Sequence, residues 1–428
     1  MTASVSSTAD GKVYVLALCG GADRPIGALG GRTPLEAADT PHLDALAVRG
    51  ASTLVEVIGP GIPPESDSGA MALLGYDPLL HYTGRGPLEG FGAGYWHDGG
   101  SSVAFRINFG SLDPASGRLD RRTSRDLTDP ELEALVAEIT AAVDLGPGIR
   151  LSLTGWGRHR GILALTSTTV ELSGAVSNTD PGFVKDGAFG VPVAEPADTP
   201  LPCRPLQDGP AARRTADLVD AFVTASARVL ASSPVNHART RAGRKPANVI
   251  LVRDGGHTLP VLAPAGRSTS MYGQVPAEQG LAALMGARFT RSRPRADQPV
   301  EAYYSALVPA LLADPAEVVF VHVKGPDEPG HDRQVRAKVR AIAALDAHLV
   351  GPLTAALTPS DTVVVTCDHS TPCELGIHAP DPVPLTVAGP GVAADDCTAF
   401  GERASARGAL PLRRACELMD WLFEERPC

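Results

Sequence analysis

The sequence is poor in lysine and in aromatic residues. Only five of its 38 basic residues are lysines, and aromatic residues make up 5% of the chain. The formal net charge is −10, and no segment gathers basic side chains into a stripe. Because nucleic-acid phosphates are held by clustered Lys and Arg, we expect no nucleic-acid partner. No apolar run approaches the roughly 20 residues of a membrane span, so we expect no membrane partner either.

Features of exported proteins are also missing. Residues 1–11 have neither a basic region nor an apolar core of the kind that signal peptides carry, and we interpret them as a disordered tail. The seven cysteines are odd in number and irregularly spaced in a chain of 428 residues. This argues against a disulfide framework and favours a reducing, cytoplasmic location. The sequence does not indicate an oligomeric state.

Several segments are typical of strands in an α/β protein. Val13–Leu18 and the segments 318–325 and 361–370 are nearly continuous apolar runs, the pattern of parallel strands that are covered on both faces. Residues 335–353 have apolar side chains at helical spacing. We therefore predict an α/β fold with a mostly parallel sheet covered by helices on both faces.

A different pattern fills the middle of the chain. Residues 101–167 alternate between apolar and polar side chains, with turns between the runs. A chain of this length suggests roughly two domains. We predict a first domain from residues 12–90 and 261–428, and an inserted α+β domain at 91–260.

Carboxylates and imidazoles follow the two C-terminal strand patterns. Asp327 and His331 come after the first, four residues apart, while Asp368 and His369 end the second and His378 lies in the next loop. Parallel strand ends meet at one edge of a sheet, so these side chains should converge. Oxygen and imidazole donors of this kind suit Zn²⁺ or Mn²⁺. The sequence therefore predicts a metal site with one or two divalent ions.

Ser66 precedes a predicted helix and allows two interpretations. Its hydroxyl could cap the helix by accepting the amide bonds of the first turn. Alternatively it is a nucleophile, because a helix N-terminus and a nearby metal ion both favour a deprotonated hydroxyl that attacks phosphorus. The neighbouring metal ligands favour the second interpretation.

Six segments together resemble a known family. They read "GGADRPIGALGGRTPLEAADTPHLDALAVRG", "IGPGIPPESDSGAMALLGYDP", "YTGRGPLEGFG", "VAFRINF", "VHVKGPDEPGHD" and "VTCDHSTPCELGIHAPDPVP". In this order they are similar to the archaeal-type, cofactor-independent phosphoglycerate mutases of the alkaline phosphatase superfamily. The resemblance covers nearly the whole chain. It implies an alkaline-phosphatase-like metal domain with an inserted substrate domain.

The resemblance also implies roles for individual residues. In such enzymes a serine takes a phosphoryl group from the donor hydroxyl and returns it to a neighbouring one, and Ser66 matches that serine. Asp327, His331 and His378 would hold one ion, and Asp368 and His369 would hold the other together with the Ser66 oxygen. The substrate would be a small anionic acid that bears a phosphate or a phosphonate. The expected substrate-binding residues are Arg85, Arg106, Asn108, Arg121, Arg122, Arg160, Asp180 and Arg253.

The chain departs from the family pattern at polar positions of the expected site. Cys19 stands where the resemblance expects a metal-binding aspartate. It could be a zinc ligand, a free thiol in a site with one ion, or a nucleophile. A histidine expected four residues after Ser66 and a lysine expected at position 279 are replaced by Ala70 and Gln279. In the inserted domain "NTDPG" stands for "DTDPH", which places Asn178 and Gly182 there, and "RDGG" at 253–256 replaces an "RGAG"-like loop.

These departures lead to a main and an alternative functional prediction. The main prediction is a metal-dependent phosphoryl or phosphonyl transferase that acts through Ser66 on a changed substrate, in specialised biosynthesis. The alternative is a genuine 2,3-bisphosphoglycerate-independent phosphoglycerate mutase of glycolysis, or else a relative that binds without catalysis.

Overall fold

The computed structural model describes residues 11–96, 101–295 and 297–423. Most of the predicted disordered tail therefore lies outside the described residues. The chain divides into two compact units. Unit 1 comprises Met1–His81, Val261–Gln274 and Ala282–Cys428, and unit 2 comprises Tyr82–Pro260 and Val275–Leu281. The domain boundaries expected from the sequence stay a prediction.

The strands of the described residues are β1 (Val13–Leu18), β2 (Ala51–Val55), β3 (Ser101–Leu112), β4 (Leu119–Asp120), β5 (Ile149–Gly155), β6 (Arg160–Ser167), β7 (Phe183–Asp186), β8 (Phe189–Pro192), β9 (Val249–Gly256), β10 (Thr269–Gly273), β11 (Arg288–Arg291), β12 (Val318–Val323), β13 (Thr362–Thr366) and β14 (Val383–Ala388).

The α-helices are α1 (Pro34–Ala37), α2 (Pro41–Arg49), α3 (Ser66–Leu73), α4 (Pro78–His81), α5 (Arg85–Gly92), α6 (Asp129–Ala142), α7 (Pro210–Ala231), α8 (Pro234–Arg241), α9 (Pro276–Leu284), α10 (Val300–Ala313), α11 (Asp327–His331), α12 (Val335–Leu345), α13 (Gly351–Ala356), α14 (Glu402–Ser405) and α15 (Leu418–Phe423). A π-helical turn, Asp346–Val350, joins α12 to α13.

The sheet of unit 1 has seven strands in the order β11-β10-β12-β1-β13-β14-β2. The first five run parallel, whereas β14 is antiparallel to both of its neighbours. Every residue of β1, β12, β13 and β14 is buried, as expected for strands with both faces covered. The predicted α/β class with a mostly parallel sheet is confirmed, and β1 has the bounds predicted from the sequence.

Unit 2 is built on an antiparallel sheet. Its strands follow the order β4-β3-β6-β5, and β9 pairs with β3 on the side away from β6. Strands β7 and β8 form a separate hairpin. The apolar core of this unit includes Phe105 and Phe109 of β3, Ile139 of α6 and Phe222 of α7. In β3 the alternate residues Val103, Phe105, Ile107 and Phe109 all belong to this core.

A search for membrane-spanning helices covered the described residues. Within them no single helix has both the length and the apolar character needed to cross a membrane. One bent pair, Pro210–Ala231 with Pro234–Arg241, passes on length and composition.

Candidate active site

The site in unit 1 lies where three neighbouring parallel strands end. Strand β1 pairs with β12 on one side and with β13 on the other, with Leu18 opposite Val323 and Ala17 opposite Thr366. The next residues after these strands therefore meet at one edge of the sheet. Cys19, Lys324 and Asp368 follow β1, β12 and β13, respectively, and their side chains approach one another.

Ser66 lies in the first turn of α3, but it does not cap that helix. The N-cap is Glu65, whose amide donates to Ser68 Oγ at 3.1 Å while the Ser68 hydroxyl donates back to the Glu65 carbonyl at 2.9 Å. The capping interpretation of Ser66 is therefore wrong, because Ser66 is already the first helical residue. Its hydroxyl is free to face the strand ends. At Gly69, a Cβ would lie 2.5 Å from the Asp368 carbonyl, so only glycine lets α3 pack this closely.

The Ser66 hydroxyl contacts three chemically different side chains. Its Oγ accepts a hydrogen bond from Lys324 Nζ at 2.8 Å and lies 3.3 Å from His369 Nε2. Cys19 Sγ is 3.5 Å away. Ser66 is 2% exposed, so these contacts form largely out of water. A nearby ammonium favours the alkoxide form of a serine, as a nucleophile requires.

The first donor group consists of Asp327, His331 and His378. Asp327 and His331 stand one turn apart on α11 and so share a face. Their Nε2 and Oδ1 atoms are 3.3 Å apart, and His378 Nε2 lies 3.6 Å from the same Oδ1. Each imidazole donates its Nδ1 proton to a backbone carbonyl, that of Gly376 at 3.0 Å and that of Pro64 at 2.8 Å. Both Nε2 atoms therefore face the Asp327 carboxylate.

The second donor group consists of Cys19, Asp368 and His369. His369 Nε2 lies 3.7 Å from Cys19 Sγ and 3.3 Å from Asp368 Oδ2. The His369 Nδ1 proton is donated to Thr371 Oγ1 at 3.0 Å, and the Thr371 hydroxyl donates to Asp327 Oδ1 at 3.1 Å. Thr371 thus fixes the His369 tautomer and connects the two donor groups. The rings of His369 and His378 also stack, with centroids 3.7 Å apart.

The pKa shifts differ among the residues of the two donor groups. Burial raises the pKa of Asp327, but the surrounding histidines and Lys324 outweigh it and hold the pKa well below the usual range. Burial lowers the pKa of His378, yet the carboxylates of Asp327 and Glu65 reverse this, and the net shift is upward. For His369 burial dominates and lowers the pKa to about 3, so this imidazole is neutral. A neutral imidazole is the form that binds a metal.

These residues fit divalent metal ions. The imidazoles of His331, His369 and His378 turn their Nε2 atoms toward carboxylates, an arrangement of oxygen and nitrogen donors that suits a cation between them. The ligand atoms of Asp327, His331 and His378 all lie within 4.8 Å of one another, as do those of Cys19, Asp327 and His369. The first donor group would hold one ion. The second would hold another together with the Ser66 oxygen.

Sequence analysis missed two residues at this site, His322 and Lys324. His322 lies inside β12 and is 1% exposed, and its Nε2 contacts Asp368 Oδ2 at 2.7 Å. Lys324 follows the same strand and reaches Ser66. A polar residue within an otherwise apolar strand, or directly after it, is unusual. This is the signal by which the sequence could have revealed His322 and Lys324.

A buried lysine supports the loops that carry the ligands. Lys338 of α12 is fully buried and donates to Asp23 Oδ2 at 2.9 Å and to the carbonyls of Ala22 and Thr371 at 3.0 and 2.9 Å. Asp23 in turn accepts from the Cys373 amide at 3.0 Å. This ion pair fixes the loop after β1 against the loop after β13, and hence the position of Thr371.

Unit 2 contains a cluster of arginines that are partly paired with carboxylates. Arg85 Nε donates to Glu89 Oε1 at 2.8 Å, and Arg106 contacts the same oxygen. Burial lowers the pKa of Arg106 to about 9; Glu89 opposes this shift, whereas the neighbouring arginines Arg85, Arg160 and Arg253 add to it. A cluster in which arginines depress each other's pKa attracts anions.

Arg121 and Asp180 form a bidentate ion pair. Nε lies 2.5 Å from Oδ1 and NH2 lies 2.9 Å from Oδ2, and Asp180 is fully buried. A Cβ at position 182 would lie 2.0 Å from Arg121 Cζ, so a side chain there would displace the guanidinium from its present position. Asn108 lies opposite Arg160 across β3 and β6. Arg122 is exposed, and its role in substrate binding stays a prediction.

Asp254 occupies a backbone position that favours glycine. The register between β3 and β9 shifts at this point, and Asp254 has a φ of 56°. A residue in this left-handed region within a bulge is usually glycine. Its amide donates to Asn178 Oδ1 at 2.9 Å, while Asn178 Nδ2 donates to the Phe183 carbonyl at 3.0 Å. Asn178 both accepts and donates here, which an aspartate could not do.

The Asp254 carboxylate contacts the Arg253 guanidinium, which also lies 3.8 Å above the Phe183 ring. Part of the positive charge of Arg253 is thus balanced within the protein. The chain also departs from the family pattern at Ala70 and Gln279. Ala70 is buried in α3, and Gln279 lies in α9.

Comparisons with known proteins identify the family of the chain. The model of the family described as 2,3-bisphosphoglycerate-independent phosphoglycerate mutase matches residues 47–236. A protein of that name from Methanopyrus kandleri is 38% identical over 410 residues, which cover 93% of this chain and 92% of the relative. Another, from Aeropyrum pernix, is 36% identical and covers 88% of this chain and 90% of the relative.

Two solved structures are similar to this chain over nearly its whole length. A protein from Pyrococcus horikoshii is 28% identical with a TM-score of 0.73, covering 96% of this chain and 97% of that one. A cofactor-independent phosphoglycerate mutase from Thermoplasma acidophilum is 27% identical with a TM-score of 0.58, covering 96% and 99%. By sequence identity over nearly its full length, the chain belongs to the family of 2,3-bisphosphoglycerate-independent phosphoglycerate mutases, and it is an enzyme of the phosphotransferase type.

Proposed function

We propose that the chain moves a phosphoryl group between neighbouring hydroxyls of a phosphoglycerate, through a covalent intermediate on Ser66. One observation supports this most directly: the Ser66 hydroxyl, which caps nothing, lies 2.8 Å from Lys324 Nζ and 3.3 Å from His369 Nε2. The names of the relatives favour the mutase over a changed substrate. A cytoplasmic location stays a prediction.

The reaction balances as two displacements at phosphorus. In the first, the Ser66 Oγ–P bond forms and the P–O bond to the donor hydroxyl breaks. The proton that Ser66 gives up is matched by the proton that the departing oxygen takes. In the second, the neighbouring hydroxyl loses its proton and attacks, and Ser66 Oγ leaves and regains a proton. Two steps let one nucleophile serve both hydroxyls after the substrate has reoriented.

The roles of the other residues follow from their contacts. Lys324 donates to Ser66 Oγ and so stabilises the alkoxide before attack. Divalent ions held by the two donor groups would supply further positive charge at the nucleophile and at the phosphoryl oxygens. In unit 2, Arg106 and Arg160 would bind the anionic groups of the acid, since guanidinium forks match phosphate and carboxylate.

A second candidate function is the same chemistry on a different small phosphorylated acid. The observation that favours it is the changed chemistry of both units: a thiol at position 19 beside the nucleophile, and a carboxylate at Asp254 beside Arg253. The relatives reported above are not named for a phosphonate substrate, and nothing here supports a biosynthetic role.

A coupled assay from 3- to 2-phosphoglycerate, run with Mn²⁺, Mg²⁺ and Zn²⁺ in turn, tests the proposal. Turnover near ~10 s⁻¹, a typical enzyme value, is expected. Ser66→Ala should lose activity by about 10³-fold or more while Ser232→Ala, at an exposed serine, keeps it. Intact-protein mass spectrometry of the wild type with substrate should show a phosphoryl adduct on Ser66.

The two candidates give different results in that assay. Turnover orders of magnitude lower with all three ions, together with an adduct from another phosphorylated acid, would establish the second candidate. Full activity of Ser66→Ala would contradict both.

A further inference from the structure

We propose that Cys19 is a thiolate ligand and that it makes the second donor group selective for Zn²⁺. The inference concerns the same site as the proposed function. It depends on that function only for the assignment of an ion to the second donor group. It does not depend on which acid is the substrate. Among the readings that the sequence left open for Cys19, it selects zinc ligation over a free thiol and over a nucleophile.

This inference rests on the distances among four donor atoms. Cys19 Sγ lies 3.5 Å from Ser66 Oγ and 3.7 Å from His369 Nε2. Ser66 Oγ is 3.3 Å from His369 Nε2, and Asp368 Oδ2 is 3.3 Å from the same nitrogen. All four residues are at most 2% exposed.

These separations match a tetrahedral zinc site. With bonds of the usual length, nitrogen and oxygen donors around Zn²⁺ lie roughly 3.3–3.4 Å apart, and pairs that include sulfur lie roughly 3.5–3.6 Å apart. The two sulfur pairs at this site are the longer ones and the two pairs without sulfur are the shorter ones. All four distances therefore lie close to those expected for donors around one Zn²⁺ ion.

Hydrogen bonds around the four atoms support ligation. Lys324 Nζ donates a hydrogen bond to Cys19 Sγ at 3.3 Å. His322 holds Asp368 Oδ2, and the Gly20 amide donates to Asp368 Oδ1 at 2.9 Å. Such partners orient ligands and tune the metal. On binding, the thiol proton would be released to solvent.

The choice of metal follows from the donor type. Thiolate is a soft ligand that suits Zn²⁺ and suits Mg²⁺ or Mn²⁺ poorly, whereas a carboxylate suits the harder ions. The first donor group has no sulfur, because it consists of Asp327, His331 and His378. Only the second group should therefore discriminate strongly for zinc.

Cobalt substitution tests the inference without measuring catalysis. The full-length protein is stripped with a chelator and loaded with Co²⁺, which gives intense near-ultraviolet absorption when bound to a thiolate. Wild type should show this band, and Cys19→Ser should lose it while keeping the weaker visible bands of cobalt at the first group. Cys203→Ser is the matched control, because Cys203 is buried and its thiol donates to the Ser177 carbonyl, as a serine hydroxyl can.

Competition between Zn²⁺ and Mn²⁺ gives a second readout, by elemental analysis. Cys19→Asp should reduce the preference for Zn²⁺ over Mn²⁺ by about tenfold or more, since a carboxylate suits the harder ion and lacks the preference of a thiolate for zinc. Circular dichroism confirms that each variant is folded. No thiolate band in cobalt-loaded wild type, or an unchanged band in Cys19→Ser, would overturn the inference. Either result can occur whether or not the mutase assay succeeds, so the two proposals fail separately.

Discussion

The two units contain clusters of opposite kinds of polar group. At the strand ends of unit 1, the side chains of Asp327, His369 and His378 bring together oxygen and nitrogen lone pairs. In unit 2, Arg85 and Arg106 bring together guanidinium donors around a single carboxylate, that of Glu89. The first arrangement is stabilised by cations and the second by anions.

The difference also appears in how each unit balances charge. In unit 1, His331, His369 and His378 donate their Nδ1 protons away from the donor groups, for example from His331 to the Gly376 carbonyl. Unit 2 balances part of its positive charge internally through Arg121–Asp180 and Arg253–Asp254. Under the proposed function, the residues of unit 1 act on the reacting phosphorus and the arginines of unit 2 bind anionic groups of the acid. Changes in unit 1 should therefore alter rate and metal content, and changes in unit 2 should alter affinity.

The largest effect is expected at the first donor group. His331→Ala removes one of three ligands, so the protein should lose the ion there and the activity should fall by about 10³-fold or more. Elemental analysis of the purified variant measures the ion. His348→Ala, at a half-buried histidine outside the site, is the control. Metal content equal to wild type in His331→Ala would mean that this group holds no ion.

The next largest effect is expected at Lys324. Removing a charged donor aimed at the reacting oxygen typically costs 10²–10³-fold in rate, so Lys324→Met should lower kcat by about that factor. KM should change little, because Lys324 contacts the nucleophile. Lys324→Arg keeps the charge and should recover part of the rate. A raised KM with unchanged kcat would place Lys324 among the substrate-binding residues instead.

A smaller effect is expected in unit 2. Gly182→Ala would force Arg121 away from Asp180, since the new Cβ would lie 2.0 Å from Arg121 Cζ. The displaced guanidinium should raise KM by roughly tenfold, which corresponds to about 1.4 kcal/mol, and leave kcat nearly unchanged. Gly266→Ala is the control, because a Cβ at Gly266 meets nothing within 4 Å. A loss in kcat with an unchanged KM would show that a change in unit 2 affects rate rather than affinity.

The smallest effect is on stability, at Asp254. A φ of 56° lowers the free energy of unfolding by about 1 kcal/mol for a residue with an ordinary side chain, and this penalty does not apply to glycine. Asp254→Gly should therefore be more stable than Asp254→Ala by about 1 kcal/mol in urea unfolding, because both lose the carboxylate and only glycine relieves the backbone. Equal stability of the two variants would show that the bulge stores no strain.

Much of the unit 1 architecture could be predicted because its signals are local. Strand β1 follows from a continuous apolar run, and Asp327 and His331 share a face because they stand four residues apart. The cap of α3 was less predictable, since Glu65 and Ser66 are adjacent and either can precede a helix. Which of them adopts extended backbone depends on how closely Gly69 packs against the strand end.

The sequence by itself determined the α/β class, the strand ends that carry polar residues and the family to which the chain belongs. Only the tertiary structure decided that His322 and Lys324 reach the site and that Cys19 faces Ser66. These contacts join residues between 46 and 305 positions apart. The order β12-β1-β13 brings them together, and strand order depends on long-range pairing that no local pattern encodes.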